Sequence, residues 1–320
     1  MGQEQSGHRS AVYALLQIMR SILIKLAILA ALALAVLGIG VFVIVSSHKV
    51  EAPEPIPLET TKEVPKDKDI TPKERVIGTS VEGRTIESYT YGSGAKHLMF
   101  VGGIHGGYEW NSVLLAYRFI EYLDANPGIV PASLTVTVIP SANPDGVYAV
   151  VGKEGRFTEA DVSTNKAVLA SGRFNKRGVD LNRNFDCKWK PEGTWQSKTV
   201  SAGAKPFSEP ETAAIRDYVL ANDPDAVIFW HSAANAVYAS ECTNGILPGT
   251  LALMNAYAKA SGYTAVSSFD AYEVTGDAEG WLASIGIPAI TVELKTHEAI
   301  ELERNLSGIK ALFSYYSKGN

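Results

Sequence analysis

Two of the six histidines close apolar runs: His105 ends Leu98-Met-Phe-Val-Gly-Gly-Ile-His105, and His231 ends Val227-Ile-Phe-Trp-His231. Glu109 follows the first of them by four positions. Two imidazoles and a carboxylate are the donors of a catalytic zinc site whose fourth position stays open for water or substrate. A histidine at a strand end serves as readily as a hydrogen-bonded structural residue, so the pair alone does not decide. The remaining histidines are less apt. His8 and His48 flank a long apolar run, and His97 lies inside a strand pattern. His297 belongs to Thr296-His-Glu-Ala-Ile-Glu301, where a glutamate stands at the second histidine position of a His-Glu-x-x-His zinc helix. A capping or surface role is expected for it.

Other groups surround that chemistry. The run Gly178-Val-Asp-Leu-Asn182-Arg183-Asn-Phe185 sets an amide beside a guanidinium, and Arg173 lies nine residues before Asn182. Glu293 interrupts the apolar strand pattern of 289–294. A carboxylate there is costly unless it is paired or used, and a buried salt bridge is the plainer alternative. Tyr272 precedes Thr275-Gly276-Asp277, a turn that places the tyrosine on a loop.

The elements that must position these groups read as α/β. Strands are expected over 85–91, 97–101, 134–139, 226–230 and 289–294, from alternation or short apolar runs. Val113, Leu114, Tyr117, Ile120 and Leu123 share one face of a helix over 111–123. Ser208-Glu-Pro-Glu211 reads as a capping box with an early proline, opening a helix to about 220. An amphipathic helix over 300–316 closes the chain. Alternating strands and helices predict a mixed, mostly parallel central sheet with helices on both faces, where chemistry gathers in the loops at strand ends.

The 320 residues are 46% hydrophobic and 20% charged, which excludes a disordered chain. The net charge of −5 implies no broad basic surface, so nucleic acid is not an expected partner. Residues 26–45 form an uncharged run of 20 residues, and a helix of about 20 residues spans a bilayer core of roughly 30 Å. Arg9, Arg20 and Lys25 precede it against one acid, Glu4. A single transmembrane helix over 26–45 is expected, with a cytoplasmic segment 1–25 and everything beyond residue 45 extracytoplasmic. Secretion after signal cleavage is the alternative. Residues 46–75, with five prolines and mixed charge, read as a linker, and 76–320 as one domain. An oxidising compartment permits a bridge between the two cysteines, Cys187 and Cys242; two buried thiols are the alternative.

Over residues 76–320 the chain resembles the zinc metallocarboxypeptidases of the carboxypeptidase A and B type. The motifs that carry the resemblance occur in order: Gly102-Gly-Ile-His105 with Glu109-Trp110, Ser141-Ala-Asn-Pro-Asp-Gly146, Arg173 with Asn182-Arg183, His231-Ser232, Tyr272 with Thr275-Gly276, and Thr291-Val-Glu293-Leu294. The resemblance implies a zinc ion (Zn2+) held by His105, Glu109 and His231. It implies Glu293 as general base, Arg173 as stabiliser of the oxyanion, Asn182 and Arg183 as clamp for the terminal carboxylate, and Tyr272 as a cover over the substrate. The implied partner is a peptide with a free C-terminal carboxylate. Glu279, seven residues after Tyr272, resembles the pocket-floor acid of relatives that prefer basic terminal residues. It would favour a basic or diaminopimelate-type side chain, and a solvated helix start is the other reading of Glu279 and Asp277.

One departure concerns the metal. Three residues, Gly106, Gly107 and Tyr108, separate His105 from Glu109, where the family pattern has two. The glycines provide the freedom for a bulged loop to absorb the extra residue. Two other functions remain open on these residues. One is a zinc deacylase or amidase of the same fold. The other is a catalytically inactive module that binds C-terminal carboxylates through Asn182 and Arg183.

Overall fold

The computed structural model describes residues 72–318. Its elements in chain order are β1 (Lys73–Thr79), β2 (Thr85–Gly92), β3 (Lys96–Val101), helix α1 (Trp110–Ala125), β4 (Leu134–Ile139), helices α2 (Pro144–Val151) and α3 (Lys166–Ser171), the hairpin β5 (Glu192–Trp195) and β6 (Lys198–Ser201), helix α4 (Pro210–Asn222), β7 (Ala226–Ser232), β8 (Ala236–Ala239), the short ladder β9 (Glu241–Cys242) and β10 (Gly245–Ile246), helix α5 (Pro248–Ser261), β11 (Thr264–Val266), helix α6 (Ala278–Ser284), β12 (Ala289–Leu294) and helix α7 (Leu302–Ser317). β1 begins at Lys73, inside the stretch expected to be linker. The transmembrane run expected over 26–45 lies outside the described residues, as does most of that linker. Among the described residues no helix is long and apolar enough to cross a membrane.

Eight strands form one sheet in the order β1-β2-β4-β3-β7-β12-β8-β11. Its centre is parallel: β4 with β3, β3 with β7, and β7 with β12. The β1–β2, β2–β4 and β12–β8 pairs are antiparallel, so the sheet is mixed. The central strands are apolar on both faces because both faces are covered. Successive residues alternate between two cores. Leu98, Phe100, Ile228 and Trp230 pack with α1, α5 and α7, whereas Met99, Val101, Val227 and Phe229 pack with α4 and α6. The Phe100 ring meets Phe119 edge-on at 5.2 Å and stacks on Trp230 at 5.4 Å.

The capping box read at Ser208 is not formed. α4 starts from Glu209 without a side-chain cap. The Ser208 hydroxyl donates to Glu209 Oε1 and accepts from Ala204 N. Glu211 instead accepts from Val81 N and Asn175 Nδ2, which ties α4 to the β1–β2 turn and to the loop after α3. Glu211 is drawn off by tertiary partners, and Ser208 is occupied by near neighbours and by Asn184 Nδ2, which donates to its Oγ at 3.0 Å.

From β3 the chain passes through α1 to β4 on one side, and the later β7 takes its place on the other side of β3. Such a switch point opens a crevice beyond the carboxyl ends of the strands. His105 and His231 stand on its two sides, and Glu293 is paired in register with His231 across β12 and β7. Registered neighbours in a parallel pair point to the same face.

Because Phe100 is fully buried between two aromatic rings, Phe100→Ala is expected to lower stability by about 3–5 kcal/mol. Urea unfolding followed by far-ultraviolet circular dichroism measures this.

Candidate active site

Glycine makes the turn after β3. A Cβ on Gly102 would lie 2.7 Å from Ser112 O and 2.9 Å from Pro140 O, so the chain passes closer there than any other residue permits. His105 follows, then a 3₁₀ turn over Gly106–Glu109. Gly106 has φ +48°, and a Cβ on it would meet Gly172 O at 2.5 Å. The turn absorbs the extra residue and delivers Glu109 back to the cleft. Ser112 Oγ holds it there, donating to Glu109 O at 2.7 Å and accepting from Gly103 N at 3.1 Å.

His105, Glu109 and His231 are all buried, and one donor atom from each lies within 4.8 Å of the others. Glu109 Oε2 is 3.2 Å from His231 Nδ1 and accepts from Ser232 N at 3.2 Å. The two imidazole rings meet at 4.9 Å between centroids. Among the described residues His105 Nδ1 makes no hydrogen bond, and Asp180 Oδ1 lies 3.4 Å from it. Two imidazoles, a carboxylate and an unpartnered buried nitrogen fit zinc.

Burial opposes a charge on each of these groups, and their neighbours settle the outcome. For Glu109 burial is outweighed by His105, His231 and Arg173, and the carboxyl is held down at about 2. For His105 burial and the nearby Arg173 guanidinium prevail and push it to about 4. His231 lies between two carboxylates that overcome burial and hold it well above the usual histidine range.

Glu293 opens on the same cleft. Its Oε2 is buried without a hydrogen-bond partner among the described residues. Burial first, then repulsion from Glu109, pushes its carboxyl up to about 8. Arg173, 4% exposed, is fixed by Asp180: Nε donates to Oδ2 at 2.9 Å. Its Nη1 lies 3.8 Å from Glu109 Oε1, and its guanidinium carbon lies 4.6 Å over the Trp195 ring. Asn182 and Arg183 sit side by side in a 3₁₀ turn over Leu181–Arg183. Arg183 Nε and Nη2 donate to Thr194 O, and Nη1 donates to Asn182 O, so backbone carbonyls aim the guanidinium at the cleft wall.

These residues line a cleft of about 510 Å³ together with Tyr272, Asp277 and Glu279. Tyr272 lies on the irregular segment before α6, its ring 4.9 Å from Phe269. Glu279 is in the wall, with its oxygens engaged by the chain: His231 Nε2 at 3.1 Å and Thr291 Oγ1 at 2.9 Å on Oε1, and Asn182 Nδ2 at 3.4 Å on Oε2. Every residue singled out in the sequence for this chemistry therefore borders one cavity.

The sequence reading missed several lining or supporting groups. Asp180, fully buried, anchors Arg173 and faces His105 Nδ1 at 3.4 Å. Its signal was an acid inside the Gly178–Phe185 motif, flanked in sequence by Arg173, Arg177 and Arg183. His297 is not a capping or surface residue. It borders the cleft, pairing through Nδ1 with Ser232 Oγ at 2.9 Å and packing on Tyr108 at 4.8 Å. The turn after β12 folds back over Ser232 and brings it there. Tyr108 also packs edge-on against Trp195 at 5.1 Å. Cys187 and Cys242 form a disulfide with Cα atoms 6.0 Å apart, joining the loop after the Asn182 turn to β9 at the cleft.

Residues 63–307 match the family model of the zinc carboxypeptidases. The chain belongs to that family. Among curated relatives it is 25% identical over 238 residues to gamma-D-glutamyl-L-diamino acid endopeptidase 1 of Lysinibacillus sphaericus, covering 68% of this chain and 59% of that protein. It is 31% identical over 152 residues to carboxypeptidase B of Astacus astacus, covering 45% and 48% respectively. The chain thus spans about half to three-fifths of the length of these relatives. Among solved structures, bovine thrombin-activatable fibrinolysis inhibitor in complex with tick carboxypeptidase inhibitor shares the fold with a TM-score of 0.61 at 20% identity, over 78% of this chain and 92% of that one. The murein-tripeptide amidase of Escherichia coli O157 does so with a TM-score of 0.54 at 23% identity, over 78% and 93%. The family is one of zinc peptidases, in keeping with the donor triad.

Gly106→Ala places a methyl group against the Gly172 carbonyl at a positive φ. Its expected effects are a stability loss of about 1–3 kcal/mol and weaker zinc retention, because Glu109 is displaced. Thermal unfolding with and without added zinc, and chelator competition, check both.

Proposed function

We propose that the chain is a zinc carboxypeptidase that hydrolyses the C-terminal peptide bond of peptides. The observation that carries this reading is the convergence, on one cleft, of the His105–Glu109–His231 triad, the Glu293 carboxylate with a buried oxygen unpaired among the described residues, and the Asn182–Arg183 clamp. When bound, zinc supplies a Lewis acid that acidifies a water molecule and polarises the scissile carbonyl.

The chain's own groups supply the rest. Arg183 and the free N–H of the Asn182 amide receive the terminal carboxylate; a planar guanidinium suits that recognition. The clamp fixes the distance from chain end to scissile bond, which makes the enzyme an exopeptidase. Positive charge at the triad would offset the repulsion that raises Glu293, and its carboxylate then takes a proton from the attacking water as the oxygen bonds to the carbonyl carbon. Arg173, already oriented by Asp180, stabilises the negative charge that develops on the carbonyl oxygen. Glu293 then gives its proton to the amine nitrogen as the C–N bond breaks. Tyr272 borders the cleft on its loop and covers the bound terminal residue.

A basic or diaminopimelate-type terminal residue belongs to the same proposal. Its support is the acidic lining at Asp277 and Glu241 and the names of two relatives, one an endopeptidase for a diamino acid linkage, the other a murein-tripeptide amidase. For location we propose an extracytoplasmic domain tethered by residues 26–45. The apolar run and its basic upstream flank support this, and the Cys187–Cys242 bridge suits an oxidising compartment.

Peptides with free C-termini are expected to lose one residue at a time, detected by mass of the released product, while C-terminally amidated peptides remain intact. Equal cleavage of both would favour an amidase or deacylase; zinc bound without turnover of any panel member would favour a binding module. Glu293→Gln is expected to lower kcat by about 10²–10⁴ while zinc content stays stoichiometric.

A further inference from the structure

We propose that Glu279 is a positioning residue that fixes the metal ligand His231 and the clamp residue Asn182, rather than the counter-ion of a basic substrate side chain. Glu279 is 3% exposed, and both of its oxygens already accept hydrogen bonds. Oε1 accepts from His231 Nε2 at 3.1 Å and from Thr291 Oγ1 at 2.9 Å. Oε2 accepts from Asn182 Nδ2 at 3.4 Å. Three of the roughly four acceptor sites of the carboxylate are thus taken within the chain.

The contact with His231 has a direct consequence for the metal site. With Nε2–H donated to Glu279, Nδ1, which faces Glu109 Oε2 at 3.2 Å, is the nitrogen that would bind the metal once its proton is displaced. The hydrogen bond on one ring nitrogen thus selects the tautomer and ring orientation needed at the other. The first ligand, His105, has Asp180 beside it at 3.4 Å. Both histidines thus have a buried carboxylate nearby, but only His231 is hydrogen-bonded to its own.

The contact with Asn182 extends the link to substrate binding. Asn182 Oδ1 accepts from Ala278 N at 2.8 Å, and one Nδ2 proton goes to Glu279. The second Nδ2 proton is the group left for a substrate carboxylate. Ala278 and Glu279 both lie on α6, whose first turn is held by Asp277 Oδ2 accepting from Gly280 N at 2.7 Å. A single short helix thus sets the geometry of a metal ligand and of the clamp together.

The inference rests on the zinc reading of the triad, and the test separates the two. The full chain and its Glu279→Ala and Glu279→Gln variants are compared in zinc affinity by chelator competition, and in kcat/KM on peptides ending in Lys, Arg, Ala and Phe. Glu279→Ala is expected to weaken zinc binding about 10–100-fold and to lower kcat/KM by a similar factor for all four terminal residues. Glu279→Gln keeps an oxygen able to accept from His231 and is expected to recover most of the zinc affinity. Unchanged zinc affinity in Glu279→Ala, or a loss confined to Lys and Arg termini in both variants, overturns the assignment while leaving the zinc reading intact. A wild-type chain that retains no zinc overturns both.

Discussion

The fold carries an unusual load of charge at one place. Glu109, Asp180 and Glu279 are almost wholly buried, and Glu293 has an inner oxygen without a partner among the described residues. Arg173 and Arg183 are buried among them, and the two imidazoles stand between. Ionised groups held from water are costly unless each finds opposite charge or donors. Asp180 finds Arg173, and Glu279 finds His231, Thr291 and Asn182. Glu109 and Glu293 remain crowded, which is the repulsion that helps lift Glu293 to about 8. A divalent cation between His105, Glu109 and His231 supplies positive charge at the point where carboxylates crowd.

The sheet makes this concentration of charge possible. Parallel β3, β7 and β12 deliver His105, His231 and Glu293 to one edge, with the flanking cores anchoring each strand on both faces. The functional groups therefore sit where rigid strands end and loops begin. Rigidity is what a catalytic constellation needs, since its tolerance is a fraction of an ångström. The cores fix the backbone, while backbone carbonyls, Asp180 and Glu279 fix the side chains.

Much of this was legible in the sequence because the signals were periodic. Strands at 85–92, 96–101, 134–139, 226–232 and 289–294, and the helices at 110–125 and 302–317, follow the apolar patterns closely. β8 and β11 were not visible, for strands of only three or four residues leave no alternation to read. α5 had its punctuation, Pro248 at the start and Gly262 in the left-handed conformation at the end, and buries Leu253, Met254, Tyr257 and Ala258 at helical spacing, but Ala252 and Ala256 on the opposite side blur that stripe in the sequence. The family motifs pointed to the cleft residues. What they could not show is which atoms each side chain would meet. Ser208 and Glu211 look like a local cap, yet Glu211 is drawn away by distant partners and Ser208 is occupied by near neighbours and Asn184; His297 looks like a surface residue and turns inward onto Ser232.

The loop with the extra residue shows how a departure in spacing can leave chemistry in place while altering its surroundings. A left-handed Gly106 tightens the path, and Glu109 still reaches Ser232 N and His231. The accommodated length appears at Tyr108, whose ring turns out against Trp195 and His297. Phe174 adds to the same wall through Trp195, and Arg173 lies across that indole. An aromatic surface beside Arg173 limits solvent there and holds the guanidinium plane by stacking. Geometry at the donor triad is thus conserved by glycine, and the added residue becomes part of the wall along which a substrate must lie.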